Sequence, residues 1–356
     1  MKLPFQLLLQ HATELTKAGR LTEATEHIRR ALSNATSHAP IAPTTSPSAF
    51  QRIDHAPAVT VNPAATIEPH ANQGVFSAGA HTHAARTMRY RLYTPAGAAN
   101  RPRPLVVMLH GCTQDPADFA AGTAMNRRAD ADGLVVLYPA QAQDANPQRC
   151  WNWFKPGDQQ RDRGEPALIA TLTQAIIHQH DIDAHRVYIC GLSAGGAMAA
   201  IVATAYPELF AALGVHSGLA QACAKDLSSA LAVMRSGEFA QSSQRADATA
   251  VPTIVFHGDR DRTVHPRNGE RVLQAALAGV GATRAEHTHG TLDGGHRYTQ
   301  TVYRATPSEL SAAEHWVIHG GGHAWSGGSA AGSYTDAKGP DATSEMLRFF
   351  FEHRRP

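Results

Sequence analysis

No run of about eighteen apolar residues occurs in the chain, so it carries no candidate transmembrane helix. Cysteine is scarce, four in 356 residues, too few for a disulfide scaffold. Neither Cys-x-x-Cys nor His-Glu-x-x-His occurs, so the common redox and zinc spacings are missing and no metal is expected. Charge is low as well: 32 Lys and Arg against 30 Asp and Glu give a net charge of +2. With no dense basic stripe, that balance argues against a nucleic-acid partner. The start, Met1 to Gln10, has only a short apolar core interrupted by Gln6, and a charged amphipathic segment follows it. The expectation is therefore no cleaved signal peptide.

What is present is length, histidine and glycine. A chain of 356 residues can bury one large core with an appendage. The 21 histidines mostly stand singly in loops, and His178 and His180 read as solvated. Residues 1–33 read as a helical segment, with Leu8, Leu15, Leu21, Ala24, Ile28 and Leu32 near helical spacing and Gly19 in a turn. One tetratricopeptide-like turn at 18–24 has no repeat after it. Residues 34–80 read as a linker, broken by Pro40, Pro43, Pro47, Pro57, Pro63 and Pro69.

From 81 to 356 the pattern changes to short apolar strands alternating with helices. Thr87–Tyr93 alternates like an edge strand, whereas 105–109, 134–138, 186–190, 211–216 and 252–257 are continuous apolar runs. Helices are expected at 166–178, near 268–279 and near 341–353, and strands near 297–304 and 314–318. Glu165 stands near the N-terminal dipole of the first helix. Residues 222–250 are less periodic and read as an excursion over the site. The fold class is α/β, a mostly parallel sheet covered by helices on both faces.

The centre of this pattern is Gly191-Leu192-Ser193-Ala194-Gly195-Gly196, between the strand 186–190 and the helix-forming stretch 197–205. A strand, Gly-x-Ser-x-Gly and a helix make a nucleophile elbow. The turn strains the serine backbone, and its neighbours two positions away must be small. A serine hydroxyl needs a base, and the base an orienting acid. In chain order the acid comes from Asp259 or Asp261, both beyond the strand ending at His257. The base is His323, in Gly320-Gly321-Gly322-His323 after the strand ending at Ile318. Backbone amides of Cys112, beyond the strand 105–109, and of Ala194 are the candidate oxyanion donors. His110 reads as a brace for that loop.

Five motifs then agree in order: Leu-His-Gly-Cys-Thr-Gln at 109–114, Cys-Trp-Asn-Trp-Phe at 150–154, Gly-Leu-Ser-Ala-Gly-Gly-Ala-Met at 191–198, His-Gly-x-x-Asp-x-x-Val at 257–264 and Gly-Gly-Gly-His-Ala-Trp at 320–325. Together they resemble the poly(3-hydroxybutyrate) depolymerase family of α/β-hydrolase esterases, related to feruloyl and acetylxylan esterases. The resemblance covers about residues 85–350. It implies Ser193 as nucleophile, Asp261 rather than Asp259 as acid, His323 as base, and a Cys112–Cys150 disulfide. Such a reaction needs no metal or organic cofactor. Cys190 and Cys223 read as buried small apolar residues. Trp151, Trp153 and Trp325 are candidates to line the substrate groove. Without a signal or polymer-binding domain, the chain looks more like members proposed to act inside the cell on stored polymer or its oligomers; many other members are extracellular. Residues 1–33 would then be a candidate anchor to a polymer granule. A feruloyl or acetylxylan esterase is the alternative enzyme, and a granule-binding protein the alternative outside catalysis.

Overall fold

The computed structural model describes residues 74–97, 101–238, 251–278, 280, 283–304 and 310–356. The chain divides into two units, Met1–Thr66 and Ile67–Pro356, and all described residues lie in the second. The helical reading of 1–33 and the linker reading up to 73 fall outside the described residues.

A ten-stranded sheet organises the second unit. Its strands are β1 (Val75–His83), β2 (Arg86–Thr94), β3 (Arg103–Leu109), β4 (Val135–Ala140), β5 (Ile182–Leu192), β6 (Ala212–His216), β7 (Thr253–Gly258), β8 (Arg284–Thr291), β9 (Arg297–Arg304) and β10 (Ala313–His319). Their spatial order is β1-β2-β4-β3-β5-β6-β7-β10-β9-β8. The six central strands, from β4 to β10, run parallel. Antiparallel partners extend both sides of this core. A separate pair, β11 (Trp325–Ser326) and β12 (Thr335–Asp336), follows the main sheet.

The apolar runs are continuous because each central strand is buried on both faces. Leu105, Val107 and Leu109 of β3 point into one core with Val187 and Ile189 of β5. Val106 and Met108 point into the other, with Tyr188 and Cys190. The first core is covered by α3 (Gly164–Gln179) and α4 (Ala194–Ala205), with residues of α5 (Leu227–Ser236) and α6 (Arg267–Leu277). The second is covered by α1 (Pro116–Thr123), α2 (Met125–Asp132) and α7 (Ala342–Glu352). Among the described residues no helix is long and apolar enough to cross a membrane.

Three expectations need correction. The sheet begins at Val75, inside the stretch assigned to the linker. Its residues Ser77, Ala78, Gly79 and Ala80 have little strand propensity; pairing with β2 makes them a strand, and the Tyr90 ring fills the space a Cβ on Gly79 would need. Consequently β2 is an inner strand, not the edge. Third, β8 went unforeseen because Arg-Ala-Glu-His-Thr-His-Gly-Thr carries no apolar alternation, and it is exposed along almost its whole length. In the 222–250 stretch, α5 is a capped helix, with the Asp226 side chain accepting from the Ser229 amide.

Candidate active site

Parallel strands place their C-terminal ends at one edge of a sheet, and ligands bind there in α/β folds. Ser193 follows β5, Asp261 follows β7 and His323 follows β10. Ser193 has φ 57° and ψ −120°, a conformation that costs a non-glycine residue about 1–3 kcal/mol. Two glycines make the turn possible. A Cβ on Gly195 would run into the Leu109 carbonyl oxygen, and one on Gly191 into the Gly195 backbone. These are backbone contacts with no room to yield. Gly195→Ala is therefore expected to lower stability by about 3 kcal/mol, read as a fall in the urea midpoint; an unchanged midpoint would contradict the packing of this elbow.

Geometry separates the two candidate acids. Asp261 Oδ2 lies 2.7 Å from His323 Nδ1. Its Oδ1 accepts from the amides of Thr263 at 2.9 Å and Val264 at 2.8 Å. The buried His257 Nε2 stands 3.4 Å from Oδ2 and 2.8 Å from the Val264 carbonyl. Both neighbours accept, so His257 carries its proton on Nε2. Burial alone would push the Asp261 carboxyl up. The hydrogen bonds from His257, His323 and the Val264 amide outweigh it and hold Asp261 well below the usual carboxylate range. An ionised Asp261 accepts only, which puts the His323 proton on Nδ1 and leaves Nε2 with a lone pair. Asp259 turns elsewhere: it accepts from the Gly320 amide at 2.7 Å and holds His319 Nδ1 at 3.0 Å.

His216, at the end of β6, links the serine turn to the histidine loop. Its carbonyl accepts from the Ser193 amide at 2.9 Å. Its Nε2 accepts from the Ser326 amide at 3.0 Å, three residues past His323. The ring stacks between Phe256 and Trp325. Burial drops its pKa to about 3, so it stays neutral and keeps that acceptor. Sequence reading missed this role, since His216 looked like the last residue of an ordinary strand.

The loop after β3 is braced from several sides. Gly111 N–H donates to Gln114 Oε1, and Thr113 N–H to the Gln148 carbonyl. The Cys112 amide, between them, takes part in neither bond. Ala194 opens α4, where the first amides lack intrahelical partners. His110 is buried and donates from Nδ1 to the Gly111 carbonyl while Nε2 accepts from the Gln141 amide. Burial lowers its pKa to about 4, which suits a brace and not a base.

The tryptophan expectation is corrected here. Trp151 is wholly buried, and its indole N–H donates to the His110 carbonyl at 3.0 Å. Trp325 is 1% exposed, with its N–H on Thr343 Oγ1. Neither offers a face to a substrate. They support the loops carrying Cys112 and His323 from behind, because an indole next to a polar loop finds its N–H partner inside. Trp153 is buried too, with its ring set against the edge of Phe154. Glu165 anchors the same segment: it accepts from the Asn152 amide and from the Gln141 side chain. Burial raises its pKa, against those donors.

Cys112 and Cys150 form a disulfide across 38 residues, while Cys190 and Cys223 are free and buried. Cys150→Ser is expected to lower stability by about 4 kcal/mol on loop-closure entropy. Urea unfolding under non-reducing conditions checks this; equal stability of the two proteins would show that the bridge constrains nothing.

Comparison with known proteins follows the same outline. The family model described as esterase PHB depolymerase matches residues 88–292. Poly(3-hydroxyalkanoate) depolymerase C of Paucimonas lemoignei is 31% identical over 230 residues, 62% of this chain and 54% of that protein. Feruloyl esterase B of Neurospora crassa is 28% identical over 232 residues, 61% of this chain and 77% of that protein. The chain thus spans about half the length of that depolymerase. Among solved structures, an acetyl xylan esterase from Aspergillus awamori superposes with a TM-score of 0.61 at 18% identity, over 77% of this chain and 99% of that one. An S-formylglutathione hydrolase from Agrobacterium tumefaciens gives 0.53 at 16% identity, over 79% and 96%. At such identities these two establish the α/β-hydrolase fold.

Proposed function

This chain belongs to the esterase PHB depolymerase family, and from that premise we propose that it is a serine esterase acting on 3-hydroxyalkanoate polyester or its oligomers. The observation that carries the reading is the 2.7 Å contact between the buried Asp261 carboxylate and His323, on a loop that His216 ties to the Ser193 turn.

His323 Nε2 takes the proton of Ser193 as Oγ attacks the ester carbonyl. Asp261 fixes the tautomer and stabilises the imidazolium that forms. The carbonyl oxygen gains charge facing the amides of Cys112 and Ala194, each worth roughly 3–4 kcal/mol of barrier. The Leu109–Cys112 loop supports that role by packing against Gly195, leaving no space there for a side chain. His323 then protonates the leaving alcohol, and water attacks the acyl-enzyme with His323 again as base.

The feruloyl esterase relative favours a second reading, a carboxylesterase for aromatic or acetyl esters. A hydrolysis panel separates them: amorphous polyhydroxybutyrate, its soluble oligomers, short acyl esters and feruloyl esters. The proposal expects kcat/KM to be highest on the hydroxybutyrate oligomers or polymer. Preference for feruloyl esters would replace it with the second reading. Granule association through residues 1–33 lies outside the described residues.

A further inference from the structure

The histidine-rich strands at the far side of the sheet have no part in the mechanism above. They enclose a cleft of about 490 Å³, lined by His289 and Thr291 of β8, Arg297, Tyr298 and Thr299 of β9, and His319 of β10. Register sets its chemistry. Thr291, Arg297 and His319 form one cross-strand row, and His289, Thr299 and Val317 the next. Alternate residues share a face, so these side chains stand together. The same face carries His287, Thr301 and His315 and no carboxylate on any of the three strands; Glu286 and Glu314 each stand opposite Val302 on the other face. Among the described residues the Arg297 guanidinium has no carboxylate partner. Nor do three His, Cys, Asp or Glu side chains converge there as metal ligands.

A hydrogen-bond chain connects the cleft to the catalytic loop. Asp259 holds His319 Nδ1, His319 Nε2 meets Thr299 Oγ1 at 2.8 Å, and Thr299 Oγ1 meets His289 Nδ1 at 3.0 Å. Asp259 accepts from His319, so the hydroxyl of Thr299 donates to His319 Nε2 and accepts from His289 Nδ1–H. His289 Nε2 is then the ring's free nitrogen. Beside it in the cleft stands the Arg297 guanidinium, a planar fork of N–H donors that matches a carboxylate.

We propose that this cleft holds the free carboxylate at the end of a hydroxyacid oligomer whose scissile ester lies at Ser193; the inference rests on the esterase reading. The span decides the ligand length. From β9 to β5 there are four strand steps, roughly 19 Å at about 4.8 Å each. A hydroxybutyryl unit adds four backbone atoms, somewhat longer than a peptide's ~3.5 Å. Cleavage inside an oligomer leaves at least one unit on the far side of Ser193, so a pentamer, with four units toward its carboxylate, reaches both places and a dimer, with one, does not.

The test compares the free acid and the methyl ester of the 3-hydroxybutyrate pentamer and dimer. For the pentamer, wild type is expected to favour the free acid about tenfold in kcat/KM, through KM. The dimer should show no preference, and Arg297→Gln should bring the pentamer preference close to one. No pentamer preference in wild type, its persistence in Arg297→Gln, or an equal preference for the dimer would overturn the proposal. Calorimetry on Ser193→Ala protein, which leaves the oligomer whole, reads the cleft separately from catalysis. There the free acid should bind about tenfold tighter than the methyl ester, and adding Arg297→Gln should abolish the difference. If wild type hydrolyses no ester yet the acid binds this way, the esterase reading fails and the carboxylate site stands. Equal binding of acid and ester sinks the site.

Discussion

Ser193→Ala is expected to lower kcat on p-nitrophenyl butyrate by about 10⁶-fold while the protein keeps its fold. The magnitude follows from what is removed. Without Oγ there is no acyl-enzyme, and His323 and Asp261 have nothing to activate. Only the amides of Cys112 and Ala194 remain to polarise the ester. Alanine suits the site sterically, being smaller than serine, and Ser193 is only 8% exposed. Circular dichroism and the urea midpoint should match wild type. Substantial remaining turnover would show that another group is the nucleophile.

The second large effect separates two carboxylates only two positions apart in the chain. Asp261→Asn is expected to reduce kcat by about 10⁴-fold with little change in KM. An amide on His323 Nδ1 no longer demands the proton there and no longer offsets an imidazolium. Asp259→Asn should cost far less, because Asp259 holds the Gly320 amide and His319 and does not touch His323. If the Asp259 variant loses more turnover, the acid has been misassigned. The same substitution has a pH signature. Asp261 is held well below the usual carboxylate range. A group with a depressed folded pKa contributes stability that is present above its unfolded value of about 3.9 and lost as pH falls through the folded value. Asp261→Asn removes that contribution. Urea midpoints should therefore fall less steeply below about pH 4 in the variant than in wild type. Parallel curves would mean that the carboxylate is not stabilised in the fold.

How much of this was readable from the chain depends on what each residue must satisfy. The turn at Ser193 was readable because a strained turn admits so few neighbours, and Gly191 and Gly195 leave their mark in sequence. The central strands were readable because burial on both faces forces continuous apolar runs. The acid was not separable on spacing alone: Asp259 and Asp261 leave the same strand, and only the fold shows which one His323 meets. The tryptophans misled for a related reason. Trp151 and Trp325 sit beside loop residues of the site, but a large ring with one N–H is satisfied by a buried carbonyl or hydroxyl, and both turn inward. His216 left no signal, since its function lies in bonds to residues far along the chain, at Ser193 and Ser326. Strand β8 was silent because cross-strand pairing, not apolar periodicity, holds it.

The central claim is that Ser193, His323 and Asp261 work as one unit at the C-terminal edge of the sheet. Labelling with an alkyl fluorophosphonate, followed by mass mapping of the modified peptide, addresses it directly. The account expects a single adduct on Ser193 in wild type, with labelling slowed by orders of magnitude in His323→Gln. An adduct on any other residue, or equally rapid labelling of the His323 variant, would contradict it.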